Sequence, residues 1–157
     1  MDGWDIMYLY SKAMVADNAS ARAPRLPRSE AAKLLQSRGI TPTQQRVEIA
    51  SILLAQPQHL SADELLARVN GHARVSKATI YNTLALFARK GLVREVIVDP
   101  SKVFYDSNTA PHHHLYNVST GELTDICGVH VDVPSMPELP EGTQMDGVDV
   151  IVRVRSK

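Results

Sequence analysis

Apolar residues in the first two thirds of the chain recur three and four positions apart, the spacing of one buried helix face. Capping residues and breakers divide this stretch into segments. The first predicted helix starts at Ser29 and runs through Arg38, and Gly39 follows as its stop. The second starts with Thr41 as N-cap and Pro42 as its first residue. The pattern therefore predicts two short helices separated at Gly39.

Two more helices carry clear start signals. Ser61 and Glu64 have the spacing of a capping box, and Gly71 marks the end of that helix. Ser76 is the predicted N-cap of a fourth helix over 77–90. The chain is thus predicted to begin with a succession of short helices.

The pattern changes after the fourth helix to β-rich runs over 92–98 and 103–106, with a turn from Asp99 to Lys102 between them. Short helices followed by a hairpin are typical of a winged helix. Further strands are predicted over 112–118, 122–126 and 148–154. We therefore predict an α+β fold, in which an N-terminal winged helix-turn-helix domain is followed by a small α/β dimerisation domain. So small a sheet leaves an open edge and little core, and pairing with a second copy would remedy both.

Composition narrows the class of protein. A hydrophobic content of 44% is enough for a folded core, while the apolar runs are too short to span a membrane. The lone Cys127 permits no intrachain disulfide and no thiolate zinc cluster, which favours a reducing compartment. The first residues lack the pattern of a secretory signal. We expect a cytoplasmic protein that makes no contact with a membrane.

The formal net charge of zero conceals two halves of opposite sign. Residues 1–98 hold 13 Lys and Arg against 8 Asp and Glu, whereas residues 99–157 hold 4 against 9. A basic half suits contact with phosphates, and an acidic half that contains histidines suits cation binding. A modest bias of this kind is also ordinary for a solvated surface.

The fourth helix has the composition of a helix that enters the DNA major groove. Ile80, Leu84 and Phe87 share one face and should pack inward, while the opposite stripe is polar, small and basic. Asn can pair with an adenine edge and Tyr can contact a thymine methyl or a phosphate. A polar solvent face is the alternative interpretation. The residues predicted to contact DNA are Arg46, Ser76, Lys77, Thr79, Tyr81 and Asn82.

The triple histidine at 112–114 indicates a metal site. On a strand, His112 and His114 point to one face and His113 to the other. If Thr120 and Gly121 form a two-residue hairpin loop, Tyr116 faces Asp125, whose carboxylate then lies diagonal to His114 on the same face. His59 and Asp106, both from the predicted DNA-binding domain, could close the site. Imidazole and carboxylate ligands together suit Fe²⁺, Mn²⁺ or Zn²⁺.

Five segments in this order resemble the ferric uptake regulator family over residues 29–155. They are Ile40-Thr-Pro-Thr-Gln-Gln-Arg46, His59-Leu-Ser-Ala-Asp-Glu-Leu65, Lys77-Ala-Thr-Ile-Tyr-Asn-Thr-Leu84, Val103-Phe-Tyr-Asp106 and the histidine strand. The resemblance implies a DNA-binding transcription regulator and not an enzyme; no His-Glu-x-x-His segment or nucleophile motif is present. It implies that the regulatory metal is held by His59, Asp106, His112, His114 and Asp125.

The chain departs from many family members at a Cys-x-x-Cys zinc site, where Asn117 and Thr120 stand instead. A structural zinc held by four cysteines is therefore not expected. The missing cysteines and the histidine run resemble the iron response regulator branch, in which haem signals iron status. That likeness makes His112, His113 and His114 candidate haem ligands. Cys127 lacks the following proline of a Cys-Pro haem motif.

These observations predict an iron-responsive regulator, gated by a metal ion or by haem, that binds a double-stranded operator as a homodimer. The expected ion is Fe²⁺ or Mn²⁺, with Zn²⁺ as an alternative in a purified sample. A peroxide- or manganese-sensing regulator of the same family is the alternative. The predicted organisation is a flexible N-terminal extension over 1–28, the winged-helix DNA-binding domain over 29–106, and a metal-binding and dimerisation domain over 107–157.

Overall fold

The computed structural model describes residues 24–126 and 138–157. The chain divides into two compact units, Met1–Ala110 and Pro111–Lys157. This division falls four residues after the boundary predicted at 106. Most of the predicted N-terminal extension, and Cys127, lie outside the described residues.

Helices and strands together confirm the α+β class. The described residues of the first unit form four helices, and no helix in the described part of the chain is long and apolar enough to cross a bilayer. They are α1 (Arg28–Ser37), α2 (Gln44–Leu53), α3 (Ala62–Asn70) and α4 (Lys77–Arg89).

Most helix ends follow the predicted signals. Gly39 and Gly91 both have a φ of 67° just after a helix, a conformation that glycine adopts without a Cβ clash. The capping box at α3 is confirmed, because the Glu64 carboxylate accepts the Ser61 N–H at 2.7 Å while the Ser61 hydroxyl accepts the Glu64 N–H. Ser76 caps α4 as predicted. These local bonds fix where α3 and α4 begin.

The predicted start of α2 was wrong by two residues. Thr43 is the N-cap, and its hydroxyl accepts the Arg46 N–H, whereas Thr41 and Pro42 precede the helix. The Thr43 N–H donates to the Thr41 carbonyl at 3.0 Å, which closes a tight turn before the helix. Both threonines can cap a helix, so the residue type alone did not distinguish them.

A three-stranded antiparallel sheet completes the first unit. It consists of β1 (His59–Ser61), β2 (Arg94–Asp99) and β3 (Lys102–Asp106), in the order β1-β3-β2. The predicted turn is confirmed: the Ser101 hydroxyl and N–H donate to the Asp99 carboxylate, which lowers the pKa of Asp99. The strand β1 was not predicted, because three residues are too few for an alternating pattern.

The core of the first unit lies among the helices. Its fully buried side chains each stabilise the fold by about 1.5–3 kcal/mol relative to an exposed position. Because the core takes one face of α4, the opposite face of that helix is left to solvent. The largest apolar members are Leu35, Ile49, Leu53, Leu65, Ile80, Leu84 and Phe87.

The end of the predicted flexible extension belongs to the folded unit. The Leu26 N–H donates to the Ser51 carbonyl at 2.8 Å, and the Ser51 hydroxyl donates to the Leu26 carbonyl. Arg25 and Arg28 form ion pairs with the buried Glu48 at 2.5 and 2.8 Å. A carboxylate on the inner side of α2 requires such partners. The boundary predicted at 28 was therefore too late.

The second unit contains a sheet of the order β5-β4-β6, made of β4 (His113–Asn117), β5 (Glu122–Ile126) and β6 (Ile151–Val154). The pairing of β4 with β5 is antiparallel, and that with β6 is parallel. Within 111–126 and 138–157 this unit holds strands and no helix. The helical part of the predicted α/β domain has no counterpart in those residues.

Candidate metal centre

Two of the predicted ligands face each other in the first unit. The pairing of β1 with β3 places His59 directly opposite Asp106. Their side chains approach to 3.5 Å between His59 Nε2 and Asp106 Oδ2, and the Asp106 side chain is fully buried. The other carboxylate oxygen, Oδ1, accepts the Asn108 N–H at 2.7 Å. A largely buried imidazole and a fully buried carboxylate are thus held side by side by a strand pair.

The other three predicted ligands come together in the second unit. His112 Nε2 and His114 Nε2 lie 3.1 and 3.8 Å from Asp125 Oδ1. The two imidazole rings meet edge to face with centroids 4.4 Å apart. His114 is fully buried. One ligand atom from each of the three residues lies within 4.8 Å of the others, close enough to share an ion.

The predicted register of the β4–β5 hairpin was wrong, although the predicted face was right. Leu123 lies opposite Tyr116, and Asp125 lies directly opposite His114, not diagonal to it. The loop has four residues instead of two, because the Asn117 side chain accepts the N–H groups of Ser119 and Thr120. The slip of two residues equals the side-chain period of a strand. Asp125 therefore stays on the histidine face.

The residues present fit a divalent ion of intermediate hardness. Imidazole nitrogen and carboxylate oxygen in one ligand set suit Fe²⁺, Mn²⁺ or Zn²⁺. A fully buried carboxylate such as Asp106 is costly to desolvate unless a cation or donors compensate it. The first unit provides two such groups, and the second unit provides three.

The remaining histidines have different surroundings. His113, the neighbour of both second-unit imidazole ligands, is half-buried, and its Nδ1 has no hydrogen-bond partner among the described residues. His72 is exposed beyond the end of α3. His130 lies outside the described residues. Asn117 is the last residue of β4, and Thr120 lies in the β4–β5 loop.

The outward face of α4 has the predicted composition. Ile80, Leu84 and Phe87 are fully buried, while Lys77, Tyr81 and Asn82 are exposed. Ser76 and Thr79 are tied together at the helix start, where the Ser76 hydroxyl accepts the Thr79 N–H at 3.1 Å and meets its hydroxyl at 2.9 Å. These two hydroxyls are therefore partly engaged within the protein.

The starts of α2 and α4 together line an open concave surface, which we call the α2–α4 groove. Arg46, predicted as a DNA contact, lies in it and donates to the Thr41 carbonyl at 3.1 Å. Thr43, Gln45 and Thr83 were not predicted to lie there. Thr43 and Gln45 belong to the start of α2 and Thr83 to α4 itself, and the packing of these two helices brings them together. The groove has a volume of about 270 Å³ and is lined by Thr43, Gln45, Arg46, Thr79, Asn82 and Thr83.

Lys77 is held by a carboxylate of the preceding helix. Its Nζ lies 2.9 Å from Asp63 Oδ1, and this hydrogen bond, followed by the Coulombic attraction of Asp63, raises the pKa of Lys77. The same Nζ lies 5.8 Å from the centroid of the Tyr81 ring. Both partners of the ion pair are well exposed, so solvent screens it strongly.

Curated relatives resemble the chain over part of its length. The peroxide-responsive repressor PerR of Staphylococcus aureus strain Mu50 is 34% identical over 92 residues, which are 58% of this chain and 62% of the relative. PerR of strain USA300 is 33% identical over the same span. The chain thus covers less than two thirds of the length of these relatives.

Solved structures of ferric uptake regulators share the fold. The protein from Vibrio cholerae has a TM-score of 0.61 at 20% identity and covers 80% of this chain and 98% of its own. The Pseudomonas aeruginosa protein, solved with manganese, has a TM-score of 0.58 at 22% identity and covers 81% and 98%. A sequence profile named the ferric uptake regulator family matches residues 37–145, more than half of the chain. The protein therefore belongs to the ferric uptake regulator family.

Proposed function

We propose that the protein is a metal-responsive transcription regulator that binds a double-stranded DNA operator as a homodimer and acts in the cytoplasm, where DNA is accessible. One observation carries the proposal: the chain combines two clusters of buried and half-buried histidine and carboxylate side chains with a helix whose exposed face has a DNA-contacting composition. Membership of the family supports it. The role is regulatory and not enzymatic.

The helix α4 is the proposed recognition helix, and the hairpin β2–β3 is the wing that follows it. Asn82 is exposed in the middle of the α4 face and has the amide group that pairs with adenine. Arg46, Ser76, Lys77 and Thr79 are placed at the helix starts, where they would contact phosphates. Tyr81, also exposed, would meet a thymine methyl or a phosphate.

A single ion held by both ligand clusters would explain how sensing reaches the DNA-binding unit. Neither cluster alone supplies four protein ligands, whereas His59 and Asp106 together with His112, His114 and Asp125 supply five. Asp106 and His112 are six residues apart, so the chain limits their separation to about 20 Å. Such an ion would hold the two units in one arrangement.

The arrangement matters because a dimer must present two recognition helices to successive major grooves, about 34 Å apart. If the ion holds each DNA-binding unit in place, the dimer loses less conformational entropy when it binds its operator. A coupling of about 1–3 kcal/mol, which is about 5- to 150-fold in affinity, is typical between two such sites. An ion-dependent change of this size would make the protein a switch.

Iron is the proposed physiological signal, and the iron response regulator branch is the proposed branch of the family. The mixed nitrogen and oxygen ligands suit Fe²⁺ and Mn²⁺, and Zn²⁺ would compete in a purified sample. Haem bound through the 112–114 histidines would remove ligands from the ion and thereby release the DNA. The half-buried His113, next to both imidazole ligands, is the observation that keeps haem in the proposal.

Operator affinity under four conditions tests the proposal. We expect about 5- to 150-fold tighter binding with Fe²⁺ or Mn²⁺ than with a chelator, and release when haem is added to the Fe²⁺ form. Fluorescence anisotropy with a labelled operator, selected from genomic fragments, measures each affinity. Equal affinities in all four conditions would rule out gating by a ligand.

Peroxide sensing is the second candidate, because the curated relatives are named peroxide-responsive repressors. In this case iron bound to the histidines would promote their oxidation. Mass spectrometry of the Fe²⁺ protein after mild peroxide treatment separates the candidates: a gain of about 16 mass units on His59, His112 or His114 supports sensing of peroxide. Unmodified histidines, with operator binding preserved, count against it.

Asp63→Asn is expected to increase binding to non-operator DNA a few-fold. The substitution frees Lys77 from its carboxylate partner and removes a negative charge that repels phosphates. One further phosphate contact would steepen the slope of log affinity against log salt by about 0.9. Anisotropy over a series of salt concentrations measures both quantities. Glu30→Gln, an exposed acid in the first turn of α1, is the charge-matched control, and an equal change in both variants would assign the effect to net charge alone.

A further inference from the structure

Gln58, the residue directly before β1, joins two helices through its side chain. Its Nε2 donates to the Ile52 and Leu53 carbonyls, at 2.7 and 3.0 Å, where α2 ends. Its Oε1 accepts from Arg68 of α3 at 3.0 Å. The arginine can only donate, so it holds the amide with its nitrogen toward α2. Gln58 is thus fixed at both ends.

The backbone of Gln58 is fixed as well. Its N–H donates to the Ser107 hydroxyl at 3.0 Å, and its carbonyl accepts the Ser107 N–H at 3.1 Å. Ser107 directly follows Asp106, just as His59 directly follows Gln58. The two proposed ligands of the first unit therefore each adjoin one member of the hydrogen-bonded pair Gln58 and Ser107.

These contacts connect the ligands to the α2–α4 groove. The last carbonyls of a helix have no donor within the helix, and Gln58 supplies one to α2. Ten residues of helix span about 15 Å and move as a rigid rod. The opposite end of α2 carries Thr43 and Arg46, which line the groove. A displacement of His59 would therefore reach that surface through Gln58.

We propose that Gln58 is a positioning residue that couples ion binding at His59 and Asp106 to the orientation of α2 in the DNA-contacting surface. The inference rests on the proposed function, because it concerns how the ion changes DNA affinity. It is distinct from a purely stabilising role for Gln58. A hydrogen bond that only stabilises the fold would change operator affinity equally with and without the ion. A coupling bond would change the ratio of these two affinities.

Gln58→Met removes every side-chain hydrogen bond at this position and keeps the length of the side chain. We expect Mn²⁺ affinity in the absence of DNA to stay within about threefold of wild type, because no proposed ligand is changed. The ratio of operator affinities with and without Mn²⁺ should fall by at least about fivefold. Gln56→Met changes an exposed glutamine of the same loop and should leave the ratio unchanged.

Hydrogen exchange provides a readout that does not depend on DNA binding. Mn²⁺ should slow the exchange of α2 amides in the wild-type protein and in Gln56→Met, but not in Gln58→Met. Arg68→Met removes the bond to Gln58 Oε1 and leaves the bonds that Gln58 Nε2 donates in place. It should partially reduce the Mn²⁺ dependence of operator affinity and the Mn²⁺-induced slowing of exchange in α2. This variant keeps the inference testable if Gln58→Met does not fold.

The outcomes separate the inference from the proposed function. A wild-type protein whose operator affinity is independent of Mn²⁺ would overturn both. A wild-type protein that responds to Mn²⁺, with variants at 58 and 68 that respond equally and only melt at a lower temperature, would overturn the coupling role alone. A response that falls at least about fivefold in Gln58→Met and partially in Arg68→Met, at preserved Mn²⁺ affinity, supports it.

Discussion

Asp125→Asn is expected to lower Mn²⁺ affinity by at least about 100-fold and to abolish the Mn²⁺ dependence of operator binding. Asp125 Oδ1 lies 3.1 and 3.8 Å from the Nε2 atoms of His112 and His114, so its carboxylate is the anionic centre of this ligand cluster. The amide has the same shape but no charge. Mutation of a group that only hydrogen-bonds to a ligand typically lowers metal affinity by about 10- to 100-fold. Loss of a ligand itself should lower the affinity further.

Competition between the protein and a coloured chelator measures this affinity. Glu122→Gln is the matched control: it makes the same chemical change on the same strand, at an exposed position. Because asparagine preserves the volume of the side chain, the fold should remain intact, and melting of the metal-free protein checks that it does. Wild-type Mn²⁺ affinity in Asp125→Asn would remove this residue from the proposed site.

Asn82→Ala is expected to weaken operator binding by about 5- to 150-fold, the equivalent of the 1–3 kcal/mol that one good pair of hydrogen bonds to a base contributes. Asn82 is exposed on α4 beside the groove and lies opposite the buried Leu84 face. Alanine is a strong helix former, so α4 should be preserved. Anisotropy with operator and scrambled duplexes in Mn²⁺ gives the two affinities.

The expected loss is confined to the operator, because an amide that contacts a base edge adds little to binding of other sequences. Gln36→Ala truncates an exposed amide on α1, away from the groove, and should change neither affinity. An equal loss on both duplexes would assign Asn82 to the backbone instead of a base. No loss on either would exclude α4 as the recognition helix in the orientation proposed.

Much of the fold of the first unit could be predicted because its signals are local. The Ser61 and Glu64 capping box, and the glycines after α1 and α4, act within a few residues of their own backbone. The start of α2 was misplaced because two neighbouring threonines offered the same chemistry. The short β1 could not be predicted, since a strand of three residues is stabilised by its partner β3 and not by its own pattern.

Strand alternation made part of the candidate site predictable, because it determines which side chains share a face of the sheet. His112 and His114 share a face on any regular strand, and the two-residue error in register returned Asp125 to that face. The pairing of His59 with Asp106 required β1, so only the resemblance indicated it. Gln58 carried no signal at all, because its role depends on the ends of α2 and α3 meeting the loop between them.

The central claim is that one ion takes ligands from both units, and Mn²⁺ titration calorimetry of His59→Ala tests it most directly. His59 belongs to the first unit, and the variant leaves the cluster of His112, His114 and Asp125 unchanged. We expect one ion per chain at this site in the wild-type protein and an affinity at least about tenfold lower in His59→Ala. A variant that binds this ion with wild-type affinity would show that the second unit binds it alone, and would overturn the proposal of a shared ion.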